Sequence, residues 1–432
     1  MKQYSLIAII IIAGCLASCR KDKKEAVGVW NSDPVEISSV TPINGGATIA
    51  YKVPDNNDLL YVMAEYKRNG KLFTEKASVY NNSITIEGFD TTGAVSAKVY
   101  KVNKQGQRSE ATEVTFTPLE SLVNIAKNSL QIQDGFGGIV ASWNNPKITE
   151  LGVRFMYRDS ASKIKTSQVY FTTVPQELHA FRGFASRPTT FAISFEDKWG
   201  NISDTVYYSG TPLYETLVPK PYADYRANIP YDNTSTLPGS FSMSKLWDNI
   251  VNTASHGWLT NPGNPGLSIT IDLQQVVKLS RIIIWGYHKD QPYSQANFTQ
   301  FELWGTDKID FAKLADKPYW LDSASVVNGA LSGAPANINP TTVLPGVTFK
   351  NDWQYLGYHG ITRYDLMVPV DNQAILNLAQ SGMEYEMPLD ARPVRYLRLF
   401  VRQIGNSIPP PANNYFSMGE ISVYGDNTVP QQ

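Results

Sequence analysis

The pattern of apolar and polar residues in the C-terminal half of the chain predicts a series of β-strands. Residues 268–273 (SITIDL) carry an apolar side chain at every second position, and this period of two predicts a half-buried strand. Residues 279–285 (LSRIIIW) contain three consecutive isoleucines, which favours a strand covered on both faces over a short helix. Similar patterns predict further strands near residues 301–307, 395–402 and 418–425.

The middle of the chain is an internal repeat. The segment 46–54 (GATIAYKVP) corresponds to 138–146 (GIVASWNNP), and the turn glycines Gly106 and Gly200 lie 94 positions apart. A period of this length is too long for a solenoid repeat and suits tandem β-sandwiches of roughly 100 residues each.

We therefore predict two sandwich domains, at residues 30–118 and 119–213, that resemble fibronectin type III modules. Trp143 falls in the second copy at the position of Tyr51 in the first, and it is predicted to be a buried core aromatic. Neither copy contains a motif that carries chemistry. Both are interpreted as spacers that hold the terminal domain in a fixed orientation.

Composition limits the classes of function. The 432 residues suffice for roughly three domains, and a hydrophobic content of 42% permits real cores. The formal net charge of −1 gives no indication of a nucleic-acid partner or an anionic membrane surface. The sequence has no Gly-x-Ser-x-Gly elbow, no His-Glu-x-x-His helix and no Gly-rich phosphate loop, and its four histidines lack metal-ligand spacing. We therefore predict that the protein is not an enzyme.

The N-terminus contains both cysteines of the chain, so a disulfide framework is excluded for everything that follows them. An apolar run at residues 6–13 precedes Leu-Ala-Ser-Cys at 16–19, which resembles a bacterial lipobox, whose cysteine is acylated. The alternative is an ordinary signal peptide with an incidental cysteine. We predict lipidation at Cys19, a lipoprotein signal peptide at residues 1–19 and a charged tether at 20–29.

The predicted C-terminal strands and the loops between them resemble, in their order, the discoidin or coagulation-factor type C family. The segments that carry the resemblance are LWDN at 246–249, the two strands within 268–285, FELWGTD at 301–307, RYLRLFVR at 395–402 and MGEISVYG at 418–425. The resemblance covers about residues 225–426, and the predicted domain is 214–426. It implies a galactose-binding-like jelly-roll β-sandwich whose loops at one end bind glycans or other surface ligands. The predicted fold class is thus all-β, with two fibronectin type III-like sandwiches followed by the jelly roll.

Two irregular segments belong to this third domain. Residues 219–238 are rich in Pro, Tyr and Asn and are predicted to be a linker that packs onto the domain. Residues 316–350 are an insertion that discoidin-like domains lack at this point, and they are predicted to be a long surface excursion.

The resemblance also implies a structural calcium ion. Members often hold one between an early Asp-containing loop and a late Glu before the final strand, and the matching residues here are Asp248 and Glu420. Asn249, Asn252 and Thr253 would supply further oxygen ligands, which calcium prefers. The alternative is that Asp248 caps a turn and Glu420 forms a salt bridge with an arginine.

A glycan site is predicted at the loop end of the third domain, where strand ends and loops would bring aromatic and polar side chains together. Sugar binding uses an aromatic face together with polar or charged hydrogen-bonding groups. The candidate residues are Trp258, Tyr287, His288, Arg402, Asn414, Tyr415 and Phe416. The alternatives are that Trp258 seals the core and that Arg402 covers a sheet edge.

Taken together, these features resemble accessory lipoproteins of glycan-utilisation loci of the starch-utilisation-system type. The resemblance implies a non-catalytic, lipid-anchored protein of the outer membrane, on the cell surface, that binds a polysaccharide and assists its capture and uptake. Components of an outer-membrane transporter are implied as partners. The alternative is an adhesion or scaffold lipoprotein whose C-terminal domain binds a partner protein.

Overall fold

The computed structural model describes residues 30–52, 58–251, 253, 255–261, 268–293, 297–321, 326–327, 330–331, 346–405 and 416–431. The lipidation prediction at Cys19 and the predicted signal peptide and tether lie outside these residues. The chain forms two compact units, one made of residues 1–131, 141–178 and 190–208 and the other of 132–140, 179–189 and 209–432.

The first repeat is a seven-stranded β-sandwich. Its strands are β1 (Ile37–Ile43), β2 (Gly46–Tyr51), β3 (Leu59–Arg68), β4 (Lys71–Ser78), β5 (Ser83–Ile86), β6 (Val95–Asn103) and β7 (Thr112–Phe116). A three-stranded sheet has the order β1-β2-β5 and a four-stranded sheet the order β4-β3-β6-β7. Apolar side chains at alternate positions of these strands, among them Ile49, Tyr66 and Val99, form one buried core.

The second repeat has the same strand order. It begins with a helix that the sequence did not predict, α1 (Leu122–Ser129), and continues with β8 (Gln131–Gly135), β9 (Gly138–Asn144), β10 (Leu151–Arg158), β11 (Ile164–Thr172), β12 (Gln176–Arg182), β13 (Thr189–Asp197) and β14 (Val206–Gly210). Its sheets have the orders β8-β9-β12 and β11-β10-β13-β14. Trp143 is 1% exposed, which confirms that it is a core residue.

The internal repeat extends to single hydrogen bonds in the hairpin turns. Asn103 Oδ1 accepts from the backbone N–H groups two and four residues later, and Asp197 Oδ1 does the same in the second copy. Gly106 and Gly200 both have a φ of 81°, a conformation that glycine adopts without strain. The same turn chemistry therefore closes both repeats.

The third domain consists mainly of β-strands. They are β15 (Thr216–Leu217), β16 (Ala223–Asp224), β17 (Trp258–Leu259), β18 (Ser268–Trp285), β19 (Phe298–Thr306), β20 (Val326–Val327), β21 (Ala330–Leu331), β22 (Gln354–Gly360), β23 (Met383–Glu386), β24 (Val394–Ile404), β25 (Ser417–Met418) and β26 (Glu420–Asp426). Helices are α2 (Phe349–Asp352), α3 (Asn372–Ser381) and the 3₁₀ turns Arg226–Asn228, Met243–Leu246, Phe311–Ala315, Lys317–Trp320 and Tyr364–Leu366. The all-β prediction is confirmed.

The central element of this domain is β18, one strand of 18 residues where the sequence predicted two. Its first half pairs with β24 and its second half with β26 and β23, so it runs through two sheets. The change occurs around Gln274, which has a φ of 63°. The prediction that the first half is half-buried is wrong, because Ser268, Thr270 and Asp272 on its second face are also buried. The Ser268 hydroxyl donates to the buried Asp232 carboxylate at 2.7 Å.

The structure confirms the prediction for the first irregular segment and contradicts the prediction for the second. Strand β16 of the linker pairs with β18, and Tyr222 is buried, which confirms that the linker packs onto the domain. Just before the linker, β15 pairs with β26. The described parts of the insertion are not a free excursion, because Phe349 packs on Trp304 of β19 and the buried Trp320 packs on Phe349. Aromatic burial therefore holds both ends of the insertion on the sheet.

Candidate functional site

The loop end of the third domain is organised by short contacts between segments that follow different strands. The His256 N–H donates to the Tyr287 carbonyl (3.2 Å), which places the loop after Trp247 beside the turn after β18. Gly257 has a φ of 136°, and a Cβ there would lie 2.1 Å from the Met418 carbonyl oxygen. Only glycine allows the loop to approach β25 this closely.

Five side chains meet at this place, and we refer to Asp248, Ser255, His256, Tyr287 and His288 as the loop cluster. Asp248 Oδ2 and His256 Nε2 lie 2.9 Å apart, and Ser255 Oγ lies 3.5 Å from His288 Nδ1. The Tyr287 and His288 rings pack edge to face, with centroids 4.8 Å apart. The cluster thus joins two loops through polar side chains.

The protonation states of the loop cluster suit a hydroxyl-rich ligand. Burial lowers the pKa of His288 and raises the pKa of Tyr287, so both are uncharged at neutral pH. A neutral imidazole and two hydroxyl groups each donate and accept hydrogen bonds, and Asp248 adds an acceptor. Sugar hydroxyls need this mixture of donors and acceptors.

The backbone at Ser255 is strained. Its φ of 146° is a conformation that residues with a side chain rarely adopt. Strain of this kind costs about 1–3 kcal/mol and clusters at ligand sites. The loop therefore holds the Ser255 hydroxyl in its position at a cost that the rest of the domain offsets.

Three of the predicted ligand residues are buried rather than exposed at the loop end. Trp258 and Phe416 are buried, with ring centroids 5.3 Å apart, and the Trp258 indole N–H donates to Thr236 Oγ1 (3.1 Å). Direct ligand contact by these two is not supported, because they lie in the core beneath the loops. Tyr287 is also mostly buried and presents only a small part of its surface.

Arg402 does not join the loop cluster. Its guanidinium group pairs with Glu302 on the outer face of the β24–β19 pair, at 2.9 Å. The predicted ligand residues Asn414 and Tyr415 lie outside the described residues, as does Asn252 of the predicted cation site.

The predicted calcium residues are engaged by other groups. The Glu420 carboxylate is buried and forms an ion pair with Lys220, and its Oε1 accepts the Asn249 N–H (3.3 Å). Asp248 caps its own turn by accepting the Ile250 N–H (3.0 Å). An ammonium group therefore lies against the carboxylate assigned to the metal, and this arrangement does not fit calcium. Burial raises the pKa of Glu420 although Lys220 opposes the change.

Other details of the cation site agree with a turn that needs no metal. Asn249 has a φ of 66°, and asparagine tolerates this left-handed conformation better than most residues. Thr253 is exposed. Among the described residues there is no group of three or more His, Cys, Asp or Glu side chains placed to hold a metal ion.

Sequence reasoning missed Ser255, His256 and Lys220. His256 was set aside because it has no metal-ligand spacing, and its partner Asp248 was assigned to calcium. Lys220 lies 200 positions before Glu420, so no local pattern links them. The eight-residue separation of Asp248 and His256 within one loop is the signal that could have suggested their contact.

Three family models match the chain. A domain of unknown function, DUF4959, matches residues 32–118; a second, DUF5126, matches 119–221; and a third, DUF5000, matches 247–425. None of these descriptions states a function. No curated protein matches the chain.

Several solved structures are distantly similar. The SusE-like protein BT2857 is 19% identical, over 70% of this chain and 98% of its own, with a TM-score of 0.34. A family 89 glycoside hydrolase from Clostridium perfringens is 14% identical, over 50% of this chain and 16% of its own, with a TM-score of 0.26. A two-domain fibronectin type III segment of chicken tenascin is 13% identical, over 41% and 98%, with a TM-score of 0.21. Similarity of this size assigns no activity to the chain.

Proposed function

We propose that the protein is a non-catalytic glycan-binding lipoprotein of the cell surface that assists the capture and uptake of a polysaccharide. The observation that carries the proposal is the loop cluster, where Ser255, Tyr287 and His288 present uncharged hydrogen-bonding groups next to the Asp248–His256 pair. The resemblance of the third domain to discoidin-like modules agrees with a ligand site at this end.

The proposal includes a lipid anchor at Cys19, in the outer membrane, and transporter components as neighbours. None of the helices within the described residues is long and apolar enough to cross a membrane. Acyl chains anchor through apolar burial worth about 0.8 kcal/mol per CH₂ group. Many anchored copies would raise the effective concentration of sites, so that a weak single contact suffices to retain a polymer.

A glycan array tests the binding function. The fragment from residue 20 onward is compared with a Ser255→Ala/His288→Ala variant, and a Gln373→Ala/Asn377→Ala variant on the exposed face of α3 is the matched control. We expect selective glycan binding by the first and third proteins and at least about tenfold weaker binding by the loop variant. Binding of no glycan by the unaltered fragment would refute the proposal.

The second candidate function is adhesion or scaffolding through a partner protein. It is favoured by an exposed apolar segment, Leu366–Val370, in which Val368 is 99% exposed. This segment follows Arg363, which donates to the Gly405 carbonyl. Exposed contiguous apolar surface is typical of protein contact sites.

A pull-down against outer-membrane proteins separates the two functions. The partner hypothesis predicts that a Leu366→Asp/Val368→Asp variant loses a captured protein that the Ser255→Ala/His288→Ala variant retains. Capture of no protein by the unaltered fragment, together with glycan binding, would exclude the second candidate.

A further inference from the structure

A second aromatic surface lies on the outer face of β19 and β22, and it does not include the loop cluster. Tyr355 is opposite Trp304 and Tyr358 is opposite Glu302 in the antiparallel pair. The register shifts at this point, so one extra residue of β22 is accommodated between the two tyrosines. This bulge places Tyr355 and Tyr358 on the same face although they are three positions apart.

Both tyrosine side chains are much more exposed to solvent than the neighbouring Trp304. Tyr355 is 47% and Tyr358 is 52% exposed, whereas Trp304 is 9% exposed. The Tyr355 ring packs at 4.9 Å on the Trp304 ring, and the Tyr358 hydroxyl donates to Gln300 Oε1. Each tyrosine is therefore held by a neighbouring side chain, while about half of its surface remains exposed to solvent.

Polar groups border the two rings. Glu302 accepts hydrogen bonds from Arg402 Nη2 (2.9 Å) and from the Trp304 indole (3.1 Å), and the Lys350 ammonium lies 3.3 Å away. Burial alone would raise the pKa of Glu302, but Arg402, Trp304 and Lys350 together lower it, so the carboxylate is ionised at neutral pH. A charged, hydrogen-bonded rim thus surrounds a small aromatic platform.

We propose that this surface, which we call the tyrosine face (Gln300, Tyr355, Tyr358 and Arg402), is a second carbohydrate-binding site that takes an extended oligosaccharide chain. The open tyrosine rings would pack against the C–H faces of sugar rings, and the bordering side chains would bind hydroxyl groups. Trp304 and Glu302, which the two tyrosines oppose, are two positions apart, a spacing of about 7 Å along a strand, so one chain could contact both rings. The inference rests on the proposed glycan binding.

A protein partner fits this surface less well. A stable protein interface buries about 800 Å² on each side around a fully buried apolar centre. Here the apolar part is limited to two rings that carry hydroxyl groups, and charged side chains begin immediately next to them. An aromatic platform of this size with a polar rim matches a polysaccharide strand.

Affinity gel electrophoresis with amylopectin, arabinoxylan, pectic galactan and mucin tests the inference. The fragment from residue 20 onward is compared with a Tyr355→Ala/Tyr358→Ala variant and with the Ser255→Ala/His288→Ala variant. A Tyr80→Ala/Tyr207→Ala variant controls for the loss of two exposed tyrosines elsewhere. Melting temperatures show that each variant is folded, and calorimetry then measures the affinity for the polysaccharide that retards the unaltered fragment most.

We expect the tyrosine-face variant to bind that polysaccharide about tenfold more weakly and the control to bind it as the unaltered fragment does. Combining the two site variants should abolish retardation. Undiminished binding by a folded tyrosine-face variant, with loss in the loop variant, would overturn the second site and leave the proposed function intact. If no polysaccharide retards the unaltered fragment, both proposals fail.

Discussion

At the residue scale, the stability of the third domain depends on the buried ion pair between Lys220 and Glu420. Their side chains are 7% and 1% exposed, so removing the ammonium leaves a buried carboxylate without its partner. We expect Lys220→Met to lower the free energy of unfolding by about 3 kcal/mol, the cost typical of a broken buried pair. Denaturant unfolding measures this, with Lys289→Met as an exposed control.

The same pair leads to a prediction about calcium. Because an ammonium group supplies the positive charge next to Glu420, addition of calcium or of a chelator should leave the melting temperature unchanged. The Lys220→Met/Glu420→Gln variant should recover part of the lost stability, since the unpaired charge is then removed. A melting temperature that falls on chelation would contradict this interpretation and favour the calcium site that the family resemblance implies.

A histidine in the core makes the stability of the third domain depend on pH. His359 packs between Phe301 and Tyr385, with ring centroids 5.2 and 5.3 Å away, and burial lowers its pKa. The unfolded chain has the ordinary pKa of about 6.5 and binds the proton first as pH falls. Stability is therefore complete above about pH 6.5 and decreases as the pH is lowered towards the folded pKa.

The measurement for this prediction is the free energy of unfolding between pH 8 and pH 5. We expect His359→Gln to reduce the decrease seen with the unaltered protein. His288, whose pKa burial also lowers, provides a comparison at the surface of the loop cluster. An identical pH dependence with and without His359 would mean that other groups cause it.

Individual residues of the site were only partly predictable from sequence. Tyr287 and His288 follow a strong strand, so their position at its end could be read from the pattern. The partners Ser255 and His256 come from a loop whose path depends on Gly257 closing against β25, which no local pattern specifies. Lys220 reaches Glu420 because β15, just before the linker, pairs with the final strand.

At the element scale, the two repeats depend on a glycine at the start of their second strand. A Cβ on Gly46 would lie 1.9 Å from the Ile86 carbonyl oxygen, and one on Gly138 would lie 1.7 Å from that of Phe181. The neighbouring strand must move to admit a methyl group. We expect Gly46→Ala to destabilise the first sandwich by about 1–3 kcal/mol, as overpacking does.

Thermal unfolding compares this variant with Gly93→Ala, where the added carbon would meet only a side-chain oxygen of Thr91 at 3.2 Å. Gly93→Ala should be close to neutral. Equal melting temperatures for both variants would contradict the prediction. They would show that the strand carrying Ile86 can move to admit the methyl group at little cost.

Strands that are marked by the spacing of their apolar residues could be predicted from the sequence. Features that depend on contacts between segments distant in sequence could not. The isoleucine run of β18 and the repeat strands have patterns strong enough to assign them as strands. The bend that joins two predicted strands into β18 depends on Gln274, and the buried Ser268 at its start donates to Asp232 from the linker. The aromatic contacts of Trp320 and Phe349 likewise join segments that lie far apart from β19 in sequence.

At the scale of the whole molecule, the proposed function requires that the domains are held at a membrane, and this depends on one residue. Cys19 follows an apolar segment and small residues, whereas Cys15 lies within that region, and these are the chain's only cysteines. We expect cells expressing the full chain to incorporate radiolabelled palmitate into the protein. Cys19→Ala should abolish the labelling and release the protein from the membrane fraction, because no acyl chain is then buried. Cys15→Ala is the matched control and should keep both. No labelling of the unaltered chain would leave an ordinary signal peptide as the explanation of the N-terminus, and labelling that persists in Cys19→Ala would contradict Cys19 as the acylated residue.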